Sequence, residues 1–580
     1  MQTREDRLKQ LKDNPDISVP IVGAGINGIG TFRDLALQGI DVVMVDQGDY
    51  CSGASSASSH MVHGGIRYLE NGEFQLVREA VEERNRLIEN APHLVKPLKT
   101  TYPIFNRFSG LFNAPLKFLG LLDRPSERGA IVIKIGMTLY DFFTRKQKTV
   151  PKHIFRNKKE SRALFPSLNP DILYTGTYFD GSMPSPERIA IELIKDTVEE
   201  NEKAIPLNYV RLDSASGSTV KLKDELSGET FSVSPKILVN AAGPWIDLVN
   251  RSVGTPTQFI GGTKGSHLIL DHPELRTAIV DNEIFFENKD GRIVLIFPIK
   301  DKVMIGTSDI RVEDPNGIVI TEEEIDYFLE MLKRVFPNIY VDRSHIVFTF
   351  SGVRPLQYSK NGATGQISRN HKVQVLEPDD EISFPILSLV GGKWTSFRAF
   401  SEVATNKILG RLGQKRVAKT ENLKIGGGRN YPKTITERNE FFSSWQKNFN
   451  CSAERAEILF ERHGTYAKEI IESIDHSKDY PLREYPDYSR GEFKYLIQQE
   501  DVIHLDDLIF RRTILAKLGR ITKPGLKEIA EITGNILNWN NGEKEEEIKR
   551  AKLILQNKHL MEFNKYLFAN PDRKEEAKIK

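Results

Sequence analysis

Between Ser55 and Gly72 the chain reads SSASSHMVHGGIRYLENG, which puts four serines, His60, His63, a glycine pair and Arg67 within eighteen residues. Hydroxyls and uncovered backbone suit the polar part of a cofactor, an imidazole suits proton transfer, and a guanidinium suits an anionic substrate. A second set lies upstream, where Gly23, Gly25, Asn27 and Gly28 of GAGING are followed by Asp46, 18 residues after Gly28. Glycines at this spacing let backbone N–H groups at a helix N-terminus approach a pyrophosphate, and the acid is placed to accept from a ribose hydroxyl. Together they predict a dinucleotide site.

For the glycines to work this way, a strand must precede them and a helix must follow. ISVPIVGAGINGIGTFRDLALQGIDVVMVDQG supplies both: an apolar strand, a helical stretch to about Gln38, and a second strand from Ile40 to Val45 ending at Asp46. This is a βαβ unit. Pro20 would cost a ladder hydrogen bond in a central strand, so a bulge or an irregular strand start is expected there. Two later apolar runs also stop at small residues, KILVN at Ala241, Ala242 and Gly243, and PILSLV at Gly391 and Gly392. Three such ends suggest three contacts with one long cofactor, and the turn itself does not separate NAD from FAD.

Further along, residues 208–233 alternate and turn like a small meander. GSHLIL, GRIVLIFPI and KVMIGTSDI read as antiparallel strands, and a helix then opens with the capping box Thr321-x-x-Glu324. This is the texture of an α+β substrate cap. After a linker at about 424–434 the chain turns helical to its end.

A chain of 580 residues suggests two to four domains. With 81 Lys+Arg against 79 Asp+Glu the net charge is +2, so nothing calls for nucleic acid. Cys51 and Cys451, four hundred positions apart, build neither a disulfide framework nor a Cys-rich metal site, and a reducing compartment is expected. The polar start MQTREDRLKQLKDNPD has no apolar core of a signal peptide, which reads as cytoplasmic. No apolar run reaches the roughly eighteen residues of a spanning helix.

The stretches GAGINGIG, SSASSHMVHGGIRYLENGEFQLVREA, NAAGPW, KGSHLIL, IGTSDI, SGVRPL, GGKWTSFR, RHGTYA and DDLIFRRT follow one another from about residue 20 to 515. In these the chain resembles the FAD-dependent glycerol-3-phosphate dehydrogenases, members of the D-amino-acid-oxidase-like flavoproteins. The resemblance implies an α/β FAD-binding Rossmann-like domain (16–105, 150–260 and 351–423), an α+β substrate cap (261–350) and a C-terminal all-helical domain (431–580). It also implies oxidation of sn-glycerol 3-phosphate to dihydroxyacetone phosphate, with hydride passing to flavin N5 and electrons to a quinone.

On this resemblance Ser55, Ser56, Ser58 and Ser59 meet the phosphate and ribose part of FAD, while His63, Gly64 and Gly65 bring the chain under the flavin. Arg67 and Arg354 belong to the substrate pocket, where a phosphate dianion calls for guanidinium groups. Removal of hydride from a carbinol needs a base for the hydroxyl proton, and His63 and His267 are both candidates. Ala242 and Gly243 join the cofactor contacts. In GGKWTS, Gly392 and Thr395 stand at a helix start suited to the negative charge of reduced flavin, and Lys393 adds a full positive charge there. Residues 106–149, within the aromatic and basic stretch Phe105 to Lys148, read as a membrane-contact segment or insertion, in keeping with attachment to the cytoplasmic face of the membrane. A homodimer stays open.

His60 departs from the pattern, since lysine is usual in the family at that place. SMPSPERI after Tyr178-Phe179-Asp180-Gly181, Pro20, and NAAGPW for NATGPW are the other departures. Three rivals remain: an oxidase using O2 and releasing peroxide, a related amine or amino-acid oxidase, and a flavin-binding sensor without turnover.

Overall fold

The computed structural model describes residues 2–66, 73–109, 129–144, 149–287, 293–360, 370–449, 451–475 and 479–563. A six-stranded sheet runs in the order Lys372–Leu376, Ile386–Val390, Leu238–Asn240, Val19–Val22, Val42–Val45, Ala204–Leu207. All neighbours are parallel except the antiparallel edge strand Lys372–Leu376. The helices Ile26–Leu37, Pro186–Glu200 and Phe397–Arg411 bury Ile29, Phe32, Ile189, Leu193, Phe400 and Ala404 in one core with the strand side chains Val19, Ile21, Val42 and Met44. Strands covered on both faces need unbroken apolar sequence, which is why VPIV and VVMV lack alternation.

The expected meander is the sheet Asp16–Ile17, Thr230–Pro235, Thr219–Asp224, Val210–Ser216. Pro20 sits in the central strand opposite Val43, and the irregular start is a change of sheet: Asp16–Ile17 pairs with Thr230–Pro235, and pairing with Val42–Val45 begins at Val19.

A ten-stranded sheet forms the second large layer. It contains Thr263–Leu270, Ile293–Ile299, Lys302–Gly306 and Ile346–Arg354, but also Met61–Val62, Lys96–Ile104, Ile154–Asn157 and Tyr174–Ser182. The cap therefore does not stop at 261–350, because Lys96–Ile104 pairs in parallel with Asn282–Glu287 and carries the earlier strands with it. One face packs against the helix Glu322–Val335, which has the expected Thr321/Glu324 capping box. The opposite face, with Phe297, Met304, Phe348 and Phe350, is covered by Phe493, Leu508 and Leu515 of the C-terminal domain.

The segment read as a linker is a packed seam. Gly426–Gly428 is a buried turn whose N–H groups donate to Asp196 (3.0 Å) and Glu192 (3.1 Å), and a side chain at Gly426 would collide with Glu192. Buried ion pairs continue the seam: Arg512 holds Asp49 at 2.6 Å, and Arg188 holds Glu500 at 2.7 Å. Among the described residues no helix is long and apolar enough to cross a membrane.

Candidate functional site

Ile386–Val390, Leu238–Asn240, Val19–Val22 and Val42–Val45 are consecutive parallel neighbours, so their carboxyl ends fall along one edge of the sheet. Gly391, Ala241, Gly23 and Asp46 follow these ends directly, and all four line one cavity of about 900 Å³. Ligands of open α/β sheets bind outside the carboxyl ends of strands, where unpaired N–H groups and helix N-termini converge.

The glycines are needed for close approach. Gly23 has φ +106°, and a Cβ there would lie 2.6 Å from the Ala241 carbonyl oxygen. A Cβ on Gly28 would run into the Gly23 carbonyl, so Gly28 stands behind the cavity wall and lets helix Ile26–Leu37 begin tight against the strand end. The Asp46 carboxylate accepts from Ala24 N–H (2.7 Å) and Gly48 N–H (2.9 Å). Burial pushes its carboxyl up to about 6, against the two backbone donors. Ser55 Oγ accepts from Ile26 N–H at 2.9 Å, at the start of the same helix. Asn27 donates to the Gly391 carbonyl at 3.1 Å, and its buried Oδ1 has no hydrogen-bond partner. An orphaned amide oxygen, serine hydroxyls and glycine-tipped strand ends around one cavity fit FAD.

Ser52, Ser55, Ser58, Ser59, His63, Ala242, Gly243, His267, Arg354, Gly392, Lys393 and Thr395 also line this cavity, which brings together residues as far apart as Gly23 and Thr395. Thr395 and the neighbouring Trp394 tie the turn Trp394–Ser396 to the serine-rich stretch, the indole N–H donating to the Ser55 carbonyl at 2.8 Å. His267 Nε2 and Ser59 Oγ lie 2.9 Å apart, and the imidazole stacks on Phe350 at 4.7 Å between ring centres. Burial, then the charges of Arg354 and Lys517, push the His267 imidazole down to about 3, so the ring is neutral. Its Nδ1 is buried without a hydrogen-bond partner.

The Arg354 guanidinium is held in the cavity wall by four acceptors. It donates to Thr307 Oγ1 (2.7 Å), Ser308 O (3.1 Å), Lys264 O (3.4 Å) and Asp309 Oδ1 (3.2 Å). The hydroxyl-rich turn after Lys302–Gly306 thus serves as the arginine's cradle, a role that neither its composition nor its spacing announces. On the far side, the Lys393 charge acts on Glu79 and His371; burial and Glu83 push the Glu79 carboxyl up against the pull of Lys393.

Arg67 lies outside the described residues. Ser56, Gly64 and Gly65 are behind the wall rather than in it: Ser56 donates to Gly53 O at 3.0 Å, and Gly64 N–H donates to Asp180 at 3.0 Å, with no room for a side chain beside Tyr140. His60, the departure from the family pattern, faces away from the cavity and meets Lys517 of the C-terminal domain, 3.2 Å from its Nε2.

The family model described as FAD dependent oxidoreductase matches residues 18–377, and one described as the C-terminal domain of alpha-glycerophosphate oxidase matches residues 418–544. A glycerol-3-phosphate dehydrogenase of Synechocystis sp. is 31% identical over 519 residues, 86% of this chain and 88% of that protein. An aerobic glycerol-3-phosphate dehydrogenase of Staphylococcus aureus is 27% identical, covering 88% of this chain and 89% of its own. In fold, the chain is similar to the glycerol-3-phosphate dehydrogenase from Bacillus halodurans complexed with FAD, with a TM-score of 0.72 at 21% identity over 96% of this chain and 98% of that one. With a cofactor-shaped edge, a matching family model over more than half its length and a relative of this identity, the chain belongs to the FAD-dependent oxidoreductase family.

Proposed function

We propose that the protein oxidises sn-glycerol 3-phosphate at C2 to dihydroxyacetone phosphate and hands the electrons to a quinone. The observation that carries this reading is one cavity in which a neutral imidazole, His267, and a fixed guanidinium, Arg354, share the wall with the glycine-tipped strand ends. The names of the Synechocystis and Staphylococcus relatives support the same substrate. FAD, when bound, supplies the hydride acceptor.

The chain's own residues handle charge and proton. Arg354 offers the phosphate a positive charge held in place by Thr307, Ser308 and Asp309. His267, a neutral ring on the cavity wall beside Ser59, takes the role of acceptor for the carbinol proton. Burial, then Arg354 and Lys517, keep this base weak; a phosphate dianion beside Arg354 offsets part of the positive charge and raises the basicity of His267 when substrate arrives. Substrate binding thereby arms its own base.

Membrane attachment through the helix Ala130–Thr144 is part of the proposal. Its inner face buries Ile133, Met137 and Tyr140, while Ile135, Leu139 and Phe142 are 55%, 43% and 54% exposed along the outer one. An apolar stripe of this kind suits a bilayer interface, close to a lipid-soluble quinone.

Anaerobic addition of glycerol 3-phosphate to the purified holoenzyme tests the substrate: the flavin absorbance bleaches, and an unbleached flavin overturns the assignment. Reoxidation faster with a quinone analogue than with air is expected; the reverse order makes the protein an oxidase.

A further inference from the structure

The C-terminal helical domain reaches the back of this cavity with a charged side chain. Lys517, 6% exposed, lies between the π-helical turn Leu508–Arg512 and the helix Lys523–Leu537, and its Nζ donates to Glu187 Oε1 at 2.8 Å. Its second neighbour is His60 Nε2 at 3.2 Å. An ammonium has no lone pair, so Nε2 must be the acceptor. The proton of the neutral ring is then on Nδ1, which lies 3.0 Å from the Pro184 carbonyl and donates to it. Both ring nitrogens of His60 are satisfied in one tautomer and in one orientation, and an imidazolium would set two like charges side by side.

What His60 touches next is the active site. Its ring lies 5.6 Å from that of Phe350, and Phe350 stacks on His267 at 4.7 Å and 11°. The preceding residue, Ser59, carries the hydroxyl that meets His267 Nε2, and His60 itself has φ +53°, which fixes how the Ser59–His60 peptide turns. His267 is therefore gripped from two sides by one short stretch that ends on Lys517.

We propose that Lys517 is a positioning residue of the active site: by donating to His60 it locks that ring as the neutral Nδ1–H form, and the locked ring holds Phe350 and Ser59 against His267. The C-terminal domain thus completes the catalytic site of the FAD-binding domain. The ionisable groups that bear on His60 and His267 are Lys517, Arg354 from the cap sheet and, on His60, His267 itself; Glu187 from helix Pro186–Glu200 acts through its ion pair with Lys517. Glu187 compensates Lys517 within the buried pair, so removing either alone changes the local charge in opposite senses.

The proposal rests on His267 facing the substrate, and the test separates the two. In holoenzyme labelled with 15N at histidine, the His60 ring resonances, assigned by their loss in His60→Gln, report the tautomer with no substrate present. Wild type and Lys517→Arg are expected to show Nδ1–H with an unprotonated Nε2 from about pH 5 to about pH 9. In Lys517→Met the His60 ring is expected to lose its fixed tautomer, Nε2–H appearing beside Nδ1–H, with kcat about tenfold lower. KM for glycerol 3-phosphate stays within about twofold and flavin content is unchanged. The acid limb of the pH profile moves up in Lys517→Met and down in Glu187→Gln, opposite signs that a loosened fold does not produce. If Lys517→Met fails to accumulate as holoenzyme, Glu187→Gln with Lys517→Met removes the buried pair together and carries the same tautomer and kcat readings. An Nε2–H tautomer or an imidazolium in the wild type overturns the proposal, as does a Lys517→Met kcat equal to wild type or no better recovery with arginine. Failure of the wild-type flavin to bleach, with the tautomer as stated, overturns the substrate reading instead.

Discussion

The Thr395 hydroxyl accepts from the His63 N–H at 3.1 Å and donates to the His63 carbonyl at 3.2 Å, closing a two-bond clamp across 332 positions of sequence. One short side chain at a helix start thereby fixes both peptide groups of the segment that carries the site's first histidine. Thr395→Val keeps the shape and removes both bonds. kcat is expected to fall about tenfold to a hundredfold with FAD retained; steady-state kinetics beside the flavin-to-protein absorbance ratio measures both, and an unchanged kcat would show that the clamp is not needed.

Gly28→Ala forces a methyl against the Gly23 carbonyl. The overpacking costs about 1–3 kcal/mol or more, and because it displaces the strand end from the cavity wall it weakens FAD binding about tenfold to a hundredfold. Gel filtration is expected to yield colourless protein with a normal far-ultraviolet circular dichroism spectrum.

Glu283 lies fully buried in the cap sheet, where Thr100 Oγ1 donates to it at 2.8 Å and its Oε1 has no partner. Burial pushes its carboxyl up to about 8; the Thr100 bond opposes this and Asp180 adds to it. The folded protein therefore keeps a proton that the unfolded chain releases above about 4.3. Stability from this group is full at low pH and is lost as pH rises through the range from about 4.3 to about 8. Glu283→Gln, which mimics the protonated acid, is expected to gain about 1–3 kcal/mol over wild type at about pH 8 and nothing at about pH 4. Urea midpoints at the two pH values decide it.

Asp49 shows the opposite sign. Burial would raise its carboxyl, but Arg512 and Arg511 beside it win and hold it well below the usual carboxylate range. Its contribution is present above about pH 4 and lost as pH falls. Asp49→Ala leaves Arg512 buried without its partner and is expected to cost about 3–5 kcal/mol. Since the lost contact joins the two domains, limited proteolysis should release the C-terminal helices first.

Replacing Ile135, Leu139 and Phe142 together by serine removes the outer apolar stripe of helix Ala130–Thr144 while leaving Ile133, Met137 and Tyr140 in the core. Flotation with anionic vesicles is expected to fall at least about tenfold, while anaerobic bleaching by glycerol 3-phosphate is unchanged. Equal flotation of variant and wild type would remove the helix from the membrane proposal.

The cofactor edge was legible along the chain because it is built from local devices. A strand, a glycine turn, a helix and an acid at fixed distance are specified within about thirty residues, and the small residues after Asn240 and Val390 mark the two further strand ends. The same local logic read the meander and the Thr321/Glu324 cap. It failed for the turn Gly426–Gly428: three glycines in a row look like a flexible connector, and only the carboxylates of Glu192 and Asp196 turn them into a buried seam.

Long-range pairing decided what the string of residues could not. Lys96–Ile104 and Tyr174–Ser182 belong to the cap because they find Asn282–Glu287, a choice made by register and packing far from their own sequence. The cradle of Arg354 from Thr307, Ser308 and Asp309, the clamp of Thr395 on His63, and the hold of Lys517 on His60 join positions from about 45 to more than 450 apart. By itself the sequence determined a nucleotide-binding sheet edge, the chemistry it suits and the side chains available to it. Which of those side chains face the cavity, which stand behind it, and which imidazole is left with an open nitrogen were settled by burial and hydrogen-bond geometry, because these depend on neighbours that meet only when the whole chain has folded.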